Sequence, residues 1–168
     1  VLAAEIDTGS GYVDDFENTY TFDDLGRWTK VEQTDVSGGN AVADKRVDFE
    51  YNDASQFTKI TRYKSLSGGS SNEVAVTDYV FDDIGRLTDI THKHDTTTIA
   101  DYDYTFDAFS RITQMDFTSS VGNNGTSDYT YDDTGQLTDA DHDYITDEAY
   151  SFDENGNRTN TGYTTGSN

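Results

Sequence analysis

The chain has no cysteine, no proline, one methionine, one tryptophan and only 11 lysines and arginines among 168 residues. Without cysteine there are no disulfides, no thiolate chemistry and no zinc site built on sulfur, whichever side of a membrane the protein occupies. Without proline, strands are free to pair along their whole length, and no Pro-rich linker marks a domain boundary. The few cations stand against 33 acids, a formal net charge of −22. Such a surface repels phosphate backbones and anionic lipid head groups, which excludes nucleic acid and membrane surfaces as partners. No apolar run approaches the length of a membrane span, so no membrane insertion is expected, and no segment has a helical apolar period. The sequence also lacks a nucleophile elbow, a phosphate-cradling glycine loop, a His-Glu-x-x-His helix and a Cys–His pair. No residue is assigned as catalytic, no cofactor is required beyond a candidate Ca²⁺, and the expected class is not an enzyme.

What the chain does contain is aromatic residues in a repeating phrase. Only 33% of residues are hydrophobic, yet these include 12 Tyr and 9 Phe, so the core is expected to consist of aromatic layers. Six copies run aromatic, variable, aromatic, Asp or Asn, a short turn, a polar residue, an apolar residue (Arg158 in the sixth) and Thr. They begin at Tyr20, Phe49, Tyr79, Tyr104, Tyr129 and Tyr150. The first reads Tyr20-Thr-Phe22-Asp23-Asp-Leu-Gly26-Arg27-Trp28-Thr29 and the third Tyr79-Val-Phe81-Asp82-Asp-Ile-Gly85-Arg86-Leu87-Thr88. The fourth carries Tyr104, Phe106, Asp107 and Arg111, the fifth Tyr129, Tyr131, Asp132 and Gly135, and the sixth Tyr150, Phe152, Asp153 and Gly156. A recurrent unit of this size signals a repeat architecture, in which units mainly support their neighbours.

Alternate side chains of a strand share a face, so the two rings of each copy face one way. Asp at the first and Gly at the fourth position of the following turn predict a type I turn with a glycine bulge, closing a β-hairpin. Two copies place Ser55 or Ser110 where Gly is expected, so those turns either accept a left-handed serine, at about 1 kcal/mol, or change type. On the returning strand the apolar residues are three apart, as in Leu87 and Ile90, which breaks simple alternation and predicts a bulge or kink there. Successive copies start 29, 30, 25, 25 and 21 residues apart, so the turn is constant while the opposite connections vary. Those connections, Val36–Asn40, Ser65–Asn72 and Ser119–Ser127, are expected to be loops on one edge. The fold class is all-β: repeated antiparallel hairpins forming a continuous ribbon or spiral wall, without substantial helix.

The phrase Tyr-x-Phe/Tyr-Asp-x-x-Gly-Arg-Leu-Thr, clearest at Tyr79–Thr88, resembles the YD repeat of the rearrangement hotspot (RHS) proteins, over about residues 20–161. That family includes polymorphic toxins, the shells of insecticidal toxin complexes and the teneurins. The resemblance implies a long antiparallel ribbon that coils into a hollow shell, enclosing a polypeptide cargo in toxin members. It also implies that residues 1–168 are one segment of a larger secreted or cell-surface protein. The family's self-cleavage element carries a Pro-containing signature, which this sequence lacks.

Individual residues offer further candidates. The repeated Asp residues read as turn caps, against the alternative of a ladder of cation ligands, because Asn52 fills the place equally well as a cap. Asp139, Asp141 and Asp143 have the spacing that opens an EF-hand loop, although Tyr144 and Tyr150 stand where its Gly and Glu belong, and they are the candidate Ca²⁺ ligands. His92 and His94 have strand-alternate spacing suited to a metal or, equally, to a solvated strand end. Exposed rings such as Trp28 could stack on sugars, although their regular place in the repeat suits a core. Asn124, in Asn-Gly-Thr, is the candidate glycosylation site. The expected function is a non-enzymatic wall, ribbon or fibre of an extracellular or cell-surface protein. Its partners would be further repeats or other copies of itself. The alternatives are a shell around a toxin cargo and an adhesin for glycans or a receptor.

Overall fold

A computed structural model describes residues 5–7, 9, 11–122 and 124–159. Strands β1 (Glu5–Asp7) and β2 (Tyr12–Asp14) pair as a small sheet of their own. From there the chain meanders through a single antiparallel sheet of eleven strands in unbroken sequence order. These are β3 (Phe16–Phe22), β4 (Trp28–Asp35), β5 (Lys45–Tyr51), β6 (Phe57–Tyr63), β7 (Glu73–Phe81) and β8 (Leu87–His94). The meander continues through β9 (Thr97–Phe106), β10 (Ile112–Ser119), β11 (Gly125–Tyr131), β12 (Leu137–His142) and β13 (Glu148–Ala149). The helical content of the described residues is one 3₁₀ turn, Ser70–Asn72. The all-β hairpin ribbon expected from the sequence is the fold observed.

Every copy of the phrase makes the same turn. Gly26 N–H donates to Asp23 O at 3.0 Å and Asp23 N–H to Arg27 O at 2.9 Å, the pattern of a type I turn closed by a bulge. It recurs at Asn52, Asp82, Asp107, Asp132 and Asp153. Ser55 and Ser110 take the left-handed conformation, both at φ 63°, and keep the turn unchanged. A glycine at Ser110 relieves a Cβ penalty of about 1 kcal/mol, partly offset by the freer unfolded chain. Ser110→Gly is therefore expected to raise the thermal midpoint by about 1–2 °C in a calorimetric scan. Ser55→Gly should gain less, because Ser55 Oγ accepts from Arg27 Nη1 at 3.1 Å whereas the matching bond from Arg86 Nη1 to Ser110 Oγ is longer, at 3.5 Å.

The three-residue apolar spacing has a simple cause. Phe22 pairs with Trp28 and Thr21 with Lys30, which leaves Thr29 as the extra residue of a bulge. Thr58, Thr88, Thr113 and Thr138 are left over in the same way. The bulge restores the face, so Leu87 and Ile90 lie on the same side. The bulged hydroxyls bond across their hairpins, Thr29 to Thr21 O at 3.3 Å, Thr88 to Val80 O at 3.3 Å and Thr138 to Thr130 O at 3.1 Å.

One face of the sheet is thus apolar. Cross-strand neighbours there include Tyr20 with Val31, Phe49 with Ile60, Tyr79 with Ile90, Tyr104 with Met115 and Tyr129 with Ala140. Ring centroids of Tyr51 and Phe57, and of Tyr102 and Phe117, are 4.8 Å apart. Because the sheet is one layer thick, few side chains are fully enclosed; Val76, Ala140, Thr61, Thr77 and Ser127 are the buried ones among the described residues. The other face is polar and divided by charge. Over β4–β8 three of its acids have cationic partners: Lys30 with Glu32, Arg46 with Asp48, and both Lys59 and Lys93 with Asp78. Over β9–β12 it carries Asp101, Asp103, Asp116, Asp128, Asp139 and Asp141 with no lysine or arginine interleaved.

Two expectations are corrected. The connection assigned to Ser119–Ser127 is shorter, since β10 runs through Ser119 and β11 starts at Gly125 with Thr126 and Ser127 already paired to β10. The sixth copy forms its turn but no full hairpin: its flanks meet in one bridge, Phe152 with Arg158. It joins the sheet through Tyr150 N–H to Thr138 O at 2.8 Å.

Candidate functional site

The constant turns line one edge of the sheet, and their side chains are spent on each other. Asp82 Oδ1 accepts from the backbone N–H of Ile84 at 3.1 Å and of Arg86 at 2.8 Å, while Oδ2 accepts from Arg86 Nε at 2.6 Å. Asp23 with Arg27 and Asp107 with Arg111 repeat that geometry, with the same 2.6 Å ion pair. Neutral Asn52 caps as well, taking the N–H of Ala54 and of Gln56 at 3.0 Å and donating Nδ2 to Gln56 Oε1 at 2.9 Å. These donors hold the carboxyls below the ordinary aspartate range. In Asp23, Asp82 and Asp107 the arginine's backbone N–H is the largest cause, in Asp132 the Thr134 hydroxyl, and in Asp153 the Asn157 amide. The repeated aspartates are therefore turn caps, each with at least its Oδ1 bonded within its own turn.

The arginine does a second job. It stands at the start of the hairpin's second strand, which in a meander is the strand beside the next hairpin. From Arg27, Nη1 reaches Asn52 O at 3.3 Å, and the guanidinium lies 4.5 Å above the Tyr51 ring. From Arg86, Nη1 reaches Asp107 O at 3.1 Å over Phe106, and from Arg111 it reaches Asp132 O at 3.5 Å over Tyr131. Where Gln replaces Arg the reach persists: Gln56 Nε2 donates to Gly85 O at 2.8 Å. Gln136 Nε2 likewise lies against Gly156, 3.0 Å from where a Cβ would stand. Between hairpins, then, the turn edge is bonded through side chains as well as backbone.

The other candidates scatter. Asp139 and Asp141 lie on the polar face, opposite Thr130 and Asp128, whereas Asp143 turns to accept from Thr126 N–H at 2.7 Å. The closest carboxylate group among the described residues is a different one, Asp89, Asp101 and Asp103, whose ligand atoms lie within 4.8 Å of one another. Strand register brings it together, Asp89 opposite Asp103 across β8 and β9, which local spacing does not reveal. Burial, and then repulsion from Asp101 and Asp89, raises Asp103 above the ordinary aspartate range. An acid raised in the fold weakens it at neutral pH, so Asp103→Asn is expected to raise the thermal midpoint at pH 7 by about 1–2 °C and at pH 3 hardly at all.

His92 and His94 do not converge on a common partner. His92 Nδ1 sits 3.1 Å from the Thr77 hydroxyl on the apolar face, and His94 is exposed at the strand end. Fifty residues on, Ser127 and His142 repeat the pair at 2.6 Å. The match of Thr77 with Ser127 and His92 with His142 was available in the sequence at a two-repeat offset, and no motif search for catalysis finds it. Ser127 has no exposed surface, so the pair fills the place on the apolar face that Tyr102 and Phe117 occupy in the fourth repeat. Trp28 packs on Tyr20 with centroids 5.6 Å apart, and exposed Asn124 accepts from Ser119 N–H through its side-chain oxygen.

The model of the family described as "Teneurin YD-shell" matches residues 19–167. No curated protein matches the chain. Among solved structures, the crystal structure of TcdB2-TccC3-TEV superposes with a TM-score of 0.52 at 14% identity, covering 84% of this chain and 9% of that one. The crystal structure of TcdB2-TccC3-Cdc42 gives 0.47 at 20% identity, covering 90% of this chain and 9% of that one. This chain thus spans about a tenth of the length of either, and the likeness to the first is one of fold.

Proposed function

We propose, because this chain belongs to the teneurin YD-shell family, that it is a length of shell wall whose role is mechanical and not catalytic. The observation that carries this reading is the unbroken eleven-strand meander, one layer thick, whose hairpins are bonded to each other along the turn edge. Continuous backbone pairing resists stretching across the strands, and the side-chain bonds between turns resist shear between hairpins. Among the described residues the nearest approach to a nucleophile and base is Ser127 with His142, and Ser127 is closed to substrate. The wall is that of a secreted or cell-surface protein, and its immediate partners are further repeats of its own polypeptide on either side.

Within this reading a closed shell fits better than a straight fibre, since paired strands twist, and a twisted strip one layer thick curves unless a second layer flattens it. Electron microscopy of the full polypeptide carrying this segment, with and without a calcium chelator, tests it. Hollow particles support the shell and direct attention to what it encloses. Straight filaments overturn closure and favour a fibre. Particles that fall apart on chelation assign a divalent cation to the acidic face.

A further inference from the structure

We propose that the apolar face docks a peptide segment bearing one carboxylate, and that Arg62 is the residue that receives it. Arg27, Arg46, Arg86 and Arg111 each have an aspartate at 2.6 Å. Arg62 is exposed and has no carboxylate partner among the described residues, in a chain with 33 acids. Strand register is the reason. Arg62 pairs with Val47 and Ala75 and stands on the apolar face, while Asp48 and Asp78 on the flanking strands point to the other. Its Nη1 donates to Thr77 Oγ1 at 3.1 Å, and His92 Nδ1 lies 3.1 Å from the same oxygen. Arginine accepts nothing, so the Thr77 proton is left for Nδ1, and the imidazole proton then sits on Nε2. Thr77 is 1% exposed, which makes its hydroxyl an internal strut between the two side chains. Arg62 keeps Nε and Nη2, and His92 keeps Nε2, as donors without a partner among the described residues. Around them the aromatic cover thins: Ala75 lies beside Arg62 and Ala100 beside His92, with the Tyr102 ring edge-on at 6.1 Å.

An apolar face of this extent is a contact surface. A segment that covers it without an acid strips water from the Arg62 guanidinium and returns nothing, whereas a carboxylate takes its two-pronged fork. The selection is local, since the net charge of −22 repels an acidic peptide as a whole. Ser127 and His142 provide the contrast within the same face: Phe117 stands where Arg62 does, and Tyr144 gives the hydroxyl its second bond, so no carboxylate is selected there. This docking role goes beyond the mechanical one and holds whether or not the wall closes.

Two labelled, end-blocked peptides of Leu and Phe that differ only in a central Glu or Gln test it, by fluorescence anisotropy and by the ring NMR signals of the three histidines near neutral pH. The intact chain is expected to bind the Glu peptide about five- to tenfold more tightly than the Gln peptide, with the Glu-specific shift at His92 and not at His142. Arg62→Gln should abolish the preference. Equal affinity for the two peptides, a preference that survives Arg62→Gln, or a His92 shift caused by inorganic phosphate and not by the Glu peptide overturns the proposal. Should Arg62→Gln not fold, Arg62→Lys takes its place: it keeps the charge and loses the fork, so the preference should fall to about two- to threefold, and an unchanged preference counts against the proposal.

Discussion

Acidification to below about pH 4 is expected to loosen the strip from its turn edge inward, before the strands themselves separate. Five turn aspartates, Asp23, Asp82, Asp107, Asp132 and Asp153, are held below their ordinary range by the donors around them. A carboxyl lowered in the fold stabilises it fully above the unfolded value, and that contribution disappears as pH falls through the folded value. Protonation also removes the charge that holds Arg27, Arg86 and Arg111, so the bonds these make to the following turns should weaken in the same step. The second turn is a partial control, since Asn52 does not titrate and only its clamp from Arg27 is acid-sensitive. Exchange at Ala54 and Gln56 is expected to respond least to acid, and exchange at Ile84 and Arg86 strongly. Asp103 opposes the trend, because a raised acid gains stability as pH falls, but it is one group against five. A titration in which all turns loosen together with the strands would count against the turns as the acid-sensitive element.

Gly125→Val is expected to destabilise the carboxy-terminal end of the sheet by about 1–3 kcal/mol, or several degrees in the thermal midpoint. The space beside Gly125 is occupied by Asp143 and by the Tyr144 ring, whose Cδ1 lies 2.5 Å from where a Cβ would stand. Tyr144 is there because its hydroxyl bonds Ser127 Oγ at 3.0 Å, and Ser127 in turn bonds His142. A β-branched side chain expels the ring and leaves the buried Ser127 hydroxyl one partner short. Valine is a good strand residue, so local propensity alone predicts a neutral or favourable change; near-UV circular dichroism together with the midpoint separates the two expectations.

How much of this could be read from the sequence follows from which interactions are local. The turn type, the bulge and the shared face of the two rings all arise within ten consecutive residues, and the sequence specifies them through Asp, Gly and the three-residue offset from Leu87 to Ile90. Asn52 in an aspartate's place already argued that the position caps a turn. The Asp89, Asp101 and Asp103 group depends on the register between β8 and β9, which no short segment encodes. The clamp from Arg27 to Asn52 spans 25 residues and is visible only once hairpins are laid side by side. Asp143 was misleading because its spacing from Asp141 implies a common role, while the chain bends after β12 and sends its carboxylate to Thr126. The loop assigned to Ser119–Ser127 was too long because Gly and Ser read as punctuation, although Gly125 is in a strand that tolerates no larger residue there.

The meander has one more consequence, for how such a chain changes length. Because each of the first five copies adds two strands and returns the backbone to the same heading, a whole copy can be gained or lost without turning any later side chain from one face to the other. Each such event slides the remainder of the wall sideways by about 10 Å, the width of two strands, and leaves its surface pattern intact. Half a copy would reverse the direction of everything downstream. Recombination between copies is thus filtered by geometry into whole steps, and a gene built this way can lengthen or shorten its product while the product keeps an inside and an outside.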